Sequence, residues 1–347
     1  MVSRIAGIGV ALPPAASQDD LWEGHFSRHF GGASGPLAKR IFANAGVRRR
    51  QAAVSPLLED VSGWSTERRM RRYAVEVLPL GAQAATRAMA AAAVAPADIG
   101  LFVVCSCTGY ATPGLDTLLA RDLGMSPAAQ RLFVGHMGCY AAVPGLGAAT
   151  DFVTARGRPA LLLCAELTSL HAQPATTDTQ QIVAHALFSD AAAAAVVAPG
   201  PGPGYAVLDV AAVTDTATSE LMTWTVTDLG FRMGLSPRVP DVLAANVADL
   251  VTDLLGRNGL EVVDVDGWAA HPGGPRILTV VQERLGLSAE LLAASRGVLS
   301  DHGNCSSPTV LMILEALWRG ERPPRIVVML AFGPGLTLYA ALLSWSD

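Results

Sequence analysis

A thiol, an imidazole and a carboxamide occur in this chain in three short settings that together can run acyl transfer. The settings are Gly135-His136-Met137-Gly138-Cys139-Tyr140-Ala141, Ala270-His271-Pro272-Gly273-Gly274-Pro275 and Ser300-Asp301-His302-Gly303-Asn304-Cys305-Ser306-Ser307. A thiolate attacks and carries the acyl group as a covalent thioester. An imidazole first pairs with it and later donates a hydrogen bond, and an amide N–H helps to hold a developing oxyanion. Cys139, His271 and Asn304 are therefore the expected catalytic set.

These residues need elements to aim them. Residues 130–134 read as a strand entering a glycine-rich turn, and residues 140–156 as an alanine-rich helix with Pro144 tolerated in its first turn. Cys139 then sits at a strand-to-helix turn, where backbone N–H groups and the helix dipole favour the thiolate. The ordinary alternative is a small buried apolar side chain. His271 ends a strand-like approach over 265–270, and the Pro-Gly-Gly turn after it lets backbone come close. Most lone histidines are structural, and Asn304, just before a helical run over 308–318, is by itself a turn former or helix cap. The combination outweighs the three ordinary readings.

With these segments in place, the chain resembles the type III polyketide synthases, the chalcone-synthase-like branch of the thiolase superfamily. The resemblance also rests on Leu187-Phe188-Ser189-Asp190-Ala191-Ala192-Ala193, Gly230-Phe231 and Phe332-Gly333-Pro334-Gly335-Leu336-Thr337, and it runs from about residue 35 to the C-terminus. It implies an α/β thiolase fold, two similar halves in an α-β-α-β-α layering. Residues 1–200 would carry the cysteine, and residues 201–347 the histidine and asparagine. Ketoacyl synthases III share the triad, but their histidine typically precedes Gln-Ala-Asn. Papain-like hydrolases share the residue order, yet their Cys-Gly-x-Cys-Trp signature is missing here. A single condensation of the ketoacyl synthase kind, or an acyl-CoA hydrolase or binding homologue, are the alternatives.

The resemblance further implies iterative decarboxylative Claisen condensation of malonyl-CoA onto an acyl-CoA starter held on Cys139. Cyclisation to an aromatic or pyrone product follows. Phe188 and Phe231 match gatekeepers between a CoA tunnel and an acyl cavity. Cys107, Thr108 and His171 match cavity positions, and Ser306 supports the cysteine. Thr112, in Tyr110-Ala111-Thr112-Pro113-Gly114, matches a position that reaches across a homodimer interface, with a cis Thr112–Pro113 bond as one way to aim it. Arg40 and Arg276 are the expected CoA-phosphate contacts. Asn44 stands where the family usually has lysine, with Arg48, Arg49 and Arg50 near enough to compensate. The coenzyme A thioesters are substrates, and no metal or tightly bound cofactor is expected.

Composition agrees with these expectations. The chain has 347 residues, enough for two packed halves, with 51% apolar and only 16% charged side chains. No uninterrupted 18-residue apolar run suggests a membrane span, and a net charge of −5 gives no reason to expect nucleic acid. Five cysteines without paired spacing suit a reducing cytoplasm, and no targeting segment is evident. Pro199-Gly200-Pro201-Gly202-Pro203-Gly204 is the clearest boundary, between strands at 192–197 and 205–213. Apolar strands at 101–105, 160–164 and 326–330 alternate with helices at 78–93 and 242–255, which predicts sheets covered on both faces. Residues 52–68 read as a loop. The halves do not repeat visibly in sequence.

Overall fold

The computed structural model describes residues 3–346. Its strands are β1 (Ser3–Ala11), β2 (Ala15–Ser17), β3 (Arg49–Gln51), β4 (Leu101–Cys105), β5 (Gln130–Val134), β6 (Ala160–Glu166) and β7 (Ala191–Pro199). They continue with β8 (Gly204–Thr214), β9 (Met222–Thr227), β10 (Gly230–Leu235), β11 (Gly267–Ala270), β12 (Ile326–Gly333) and β13 (Thr337–Ser346). Nine of them form one sheet in the order β11-β12-β13-β8-β1-β7-β6-β4-β5. The expected boundary is the tight Pro-Gly turn joining β7 to β8.

The strand order reveals a repeat that the residues hide. In the first half β1 runs antiparallel to β7, β7 antiparallel to β6, and β6 parallel to β4. In the second half β8 runs antiparallel to β13, β13 antiparallel to β12, and β12 parallel to β11. In each half the first strand lies beside the last, and the penultimate lies beside the second. The first half adds β5 at its outer edge. Within the sheet, the pairing of β1 with β8 at Arg4↔Ala206 and Ile5↔Tyr205 joins the two halves.

Alternation along the strands explains the layers. Phe102 and Val104 pack toward the helix Thr66–Ala91, while Val103 and Cys105 pack toward the helix Ala142–Arg156. Both faces are covered, which is why such strands are apolar throughout. The middle layer pairs Leu146 and Val153 of that helix with Val310 and Ile313 of the helix Pro308–Trp318, between strands of both halves. On the far side, helices Val239–Arg257 and Pro275–Leu285 bury Val251, Leu254, Leu278 and Val281 against the second half's strands. The layering is α-β-α-β-α, with a thiolase fold.

One expected boundary moves. The helix assigned from residue 78 begins at Thr66, capped by the Ser65 hydroxyl, which accepts from Arg68 N at 3.3 Å. Its charged first half looks like loop in sequence but is tied along the helix by Arg72–Glu76 at 2.7 Å and by Arg71–Glu67. Among the described residues no helix is long and apolar enough to cross a membrane.

Candidate active site

Cys139 lies in a single 3-10 turn, Gly138–Tyr140, between β5 and the helix Ala142–Arg156. Gly138 has φ 71°, and a Cβ there would stand 3.2 Å from Pro334, so glycine is required on both counts. A Cβ on Gly333 would stand 3.5 Å from the Cys139 amide nitrogen. The end of β12 thus lies directly against the cysteine turn. His271 follows β11, its N–H donating to Leu330 O at 2.8 Å, and its ring meets Phe332 edge-on at 5.5 Å. One strand end, Phe332-Gly333-Pro334, therefore touches both the thiol's turn and the imidazole. Both ring nitrogens of His271 are buried and hydrogen-bonded to nothing, although the residue is 1% exposed.

Asn304 arrives on a parallel bridge to Phe188. Its N–H donates to Leu187 O at 2.8 Å, and its carbonyl accepts from Ser189 N at 2.9 Å. Its side-chain Oδ1 accepts from Ser306 N at 2.9 Å. The turn-forming role is real, and it orients the amide so that Nδ2 is the end free to donate elsewhere. Ser306 has φ 58°, a left-handed conformation unfavourable for a non-glycine residue. That backbone brings its hydroxyl to 3.9 Å from Cys107 Sγ and near enough to Cys139 to pull its thiol pKa down.

The charge state differs from the sequence expectation. Burial pushes the Cys139 thiol up to about 12; the Ser306 hydrogen bond pulls the other way and the Glu166 carboxylate adds to the rise. Burial drives His271 down to about 3. A helix N-terminus contributes about 0.3–1 kcal/mol. Desolvation, the largest influence on this thiol, outweighs that contribution. Burial thus disfavours both the thiolate and the imidazolium.

Around this set the remaining cavity residues form a polar and aromatic wall. His171 stacks on Phe231 with ring centroids 4.5 Å apart, its Nε2 bonded to Thr108 O at 2.7 Å and its Nδ1 accepting from Phe231 N at 2.9 Å. Thr108 gives its hydroxyl to Glu166 at 2.7 Å and accepts from Leu167 N, so it positions the carboxyl instead of facing a ligand. Cys107 is partly exposed; its carbonyl accepts from Trp224 Nε1 at 2.8 Å. Thr112 is exposed and its bond to Pro113 is cis. Sequence reasoning passed over Glu166 and Trp224. The signal for Glu166 was a lone carboxylate ending an otherwise apolar strand. Fully enclosed, it also accepts from Cys107 N at 3.0 Å and Ser307 Oγ at 3.0 Å, and burial lifts it to about 7.

Arg40 and Arg276 are exposed on the helices Gly35–Ala43 and Pro275–Leu285, and neither makes an ion pair among the described residues. The turn after the first helix meets the start of the second, where a Cβ on Gly46 would stand 3.5 Å from Pro275. Asn44, in the lysine position, donates to Arg40 O at 2.8 Å and so ends its helix. Arg50 cannot compensate for that lysine. It is buried, donating to Gln18 Oε1 at 2.9 Å and to the carbonyls of His185 and Phe188 at 2.6 and 3.0 Å. Arg48 is paired with Asp301 at 2.5 Å.

Comparison with known proteins agrees with this geometry. The family model "Chalcone and stilbene synthases, N-terminal domain" matches residues 49–201, and the corresponding C-terminal domain matches residues 213–345. The alpha-pyrone synthesis polyketide synthase-like Pks18 of Mycobacterium tuberculosis is 34% identical over 87% of this chain and 81% of its own. A 1,3,6,8-tetrahydroxynaphthalene synthase of Streptomyces peucetius subsp. caesius is 35% identical over 99% and 93%. Among solved structures, the Streptomyces coelicolor A3(2) tetrahydroxynaphthalene synthase superposes with a TM-score of 0.93 at 28% identity, covering 99% of each chain. PKS-I of the brown alga Ectocarpus siliculosus gives 0.91 at 29%, covering 99% and 98%.

Proposed function

The chain belongs to the chalcone and stilbene synthase family, the type III polyketide synthases, and from that premise we propose that Cys139, His271 and Asn304 carry its chemistry. It is an acyltransferase: malonyl-CoA units are condensed iteratively onto an acyl-CoA starter and the product is cyclised, without a tightly bound cofactor. The observation that carries the site assignment is His271, whose two ring nitrogens are enclosed and unpartnered beside the strand end that holds the Cys139 turn. A buried imidazole without a protein partner is costly unless a substrate supplies one.

From a neutral pair, the steps are as follows. Cys139 passes its proton to His271 as the sulfur attacks the starter thioester carbonyl, and the departing CoA sulfur takes that proton. Malonyl-CoA then enters. Its carbon–carboxylate bond breaks, carbon dioxide leaves, and the electron pair becomes an enolate. The enolate oxygen is held by N–H donors from His271 and from Asn304 Nδ2. The enolate carbon attacks the Cys139 thioester, the C–S bond breaks, and the extended chain remains on CoA for reloading. Phe188 and Phe231 flank the passage and exclude water. Arg40 and Arg276 sit on adjoining helices where they can meet CoA phosphates.

We assign the cysteine to a half spanning residues 1–200 and the histidine and asparagine to a half spanning 201–347, so the site forms where the two repeats face each other. A homodimer is supported by β5, an edge strand paired on one side only, which exposes Leu132 at 42% and Phe133 at 38%, and by the exposed Tyr110. Thr112 belongs to that same exposed stretch and would reach the partner's cavity. A cytoplasmic location is supported by five cysteines that are all free.

Incubation with an acyl-CoA, malonyl-CoA and mass spectrometry of the products tests the reading. Condensation releases carbon dioxide and free CoA and yields a ring-closed product. Hydrolysis of the acyl-CoA without decarboxylation would reject it.

A further inference from the structure

Resting on the reading above, the substrate class remains to be drawn from the shape and chemistry beside the site. A cavity of about 310 Å³ lies behind Phe188 and Phe231, between the helix Thr179–Leu187, the β9–β10 hairpin, the N-terminal segment near Phe26 and the loop 52–61. Phe188 is shared with the catalytic set through its bridge to Asn304. Neither Arg40 nor Arg276 lines the cavity, which separates it from the expected CoA-phosphate rim.

Most of the polar groups on its inner wall are already engaged, while His25, among the described residues, makes only ring contacts, with Phe26 and His29. His171 and His185 each have both ring nitrogens bonded within the protein, His185 to Gln181 O at 2.6 Å and from Gln173 N at 3.0 Å. Gln181 donates to Met233 O, and Thr168 to Ser189 O at 2.8 Å. Arg50 is held by two carbonyls and Gln18, with its guanidinium over the rings of Phe26 and Phe42; its Nη2 alone has no hydrogen-bond partner. The carboxylates Glu59 and Asp60 belong to the outer loop, where Glu59 pairs with Arg72 at 3.2 Å. The outer lip carries Leu57 and Leu58, exposed at 39% and 89%. A cleft whose polar wall is largely engaged and whose lip carries exposed leucines suits a flexible hydrocarbon better than a hydroxylated ring, whose hydroxyls need several free partners.

We propose that this cavity takes the aliphatic chain of the starter, so that the preferred starter is a medium-to-long fatty acyl-CoA threaded from Cys139 past Phe188 and Phe231 toward Leu57 and Leu58. Benzene fills a cavity of about 150 Å³, so 310 Å³ accepts roughly a dozen carbons.

The test uses the full chain with acetyl-, hexanoyl- and dodecanoyl-CoA and malonyl-CoA. Dodecanoyl-CoA is expected to exceed acetyl-CoA in kcat/KM by at least tenfold. Ala184→Phe, which sets a ring into the cavity, should lower the dodecanoyl-to-acetyl ratio at least tenfold. Leu57→Arg at the exposed lip should lower the same ratio, and it decides the matter if Ala184→Phe does not fold. An unchanged ratio in a folded variant, or a wild-type preference for acetyl-CoA, overturns the proposal. A binding readout stands apart from turnover. Dodecanoyl-CoA brominated at its chain end should quench tryptophan fluorescence, and Trp224→Phe should remove most of that quench, because Trp224 lines the cavity. No such quench overturns the proposal even in an active enzyme. Quench without carbon dioxide release from any starter would instead refute the condensation reading while keeping the chain site.

Discussion

At the scale of single residues, burial disfavours the charged forms of Cys139 and His271, and the His271 ring has no hydrogen-bond partner among the described residues. Cys139→Ala should abolish the acyl-enzyme seen by intact-protein mass spectrometry, while Cys107→Ser should keep loading and alter rate or product pattern. Asn304→Ala should slow malonyl-CoA decarboxylation by about 10²–10³-fold, the usual effect of losing one oxyanion donor. His271→Ala should impair that step and also slow iodoacetamide alkylation of Cys139, because it removes the base. Equal alkylation rates in both variants would contradict this division. Glu166 gives a pH signature. Its folded pKa of about 7 lies above the ordinary 4.5, so the native state holds the proton more tightly. The associated stability is fully present below about 4.5 and is lost as pH rises through 7, a change of about 3 kcal/mol. Glu166→Gln should flatten that slope, so its stability relative to wild type, measured by urea unfolding, should rise between pH 5 and 8.

At the scale of elements, short turns place the chemistry. Gly303 precedes Asn304 with φ 69°, and a Cβ there would stand 2.7 Å from Leu187 O, the carbonyl that anchors Asn304 N. Gly303→Ala should cost roughly 1–3 kcal/mol through strain and the displaced anchor. It should also lower decarboxylation more than acyl loading, since Asn304 moves and Cys139 does not. Thermal unfolding together with separate assays of loading and decarboxylation would check both parts. Equal loss of the two activities would place the effect in general destabilisation.

At the scale of the whole molecule, two topologically similar halves bring residues 139, 271 and 304 to one place. The edge strand β5 leaves the sheet open on one side, and in the homodimer proposed above a second copy would close it. Phe133→Glu together with Leu132→Lys should convert the dimer to a monomer in light scattering. Activity should fall, because Thr112 would lose its place in the neighbouring cavity. An unchanged mass would move the interface elsewhere.

The turns and strand ends that carry Cys139, His271 and Asn304, the apolar strands and the Pro-Gly turn between β7 and β8 were legible in sequence because each depends on local chemistry: a glycine turn, a strand end, a helix start. Gln130–Val134 and Pro308–Trp318 were readable for the same reason, since periodicity and turn residues lie within one element. The polar start of the helix at Thr66 was not, because Ser65 capping and Arg–Glu pairs replace an apolar pattern there. Tertiary structure alone decided the rest. It buried Arg50 under Phe26 and Phe42, although its neighbours in an arginine run are solvated. It enclosed Glu166 beside Cys107 and set a serine with positive φ near two thiols. It also buried Cys139, which opposes the thiolate that the helix N-terminus favours. Each depends on contacts between residues far apart in the chain, and desolvation, the largest electrostatic effect here, exists only once those segments have packed.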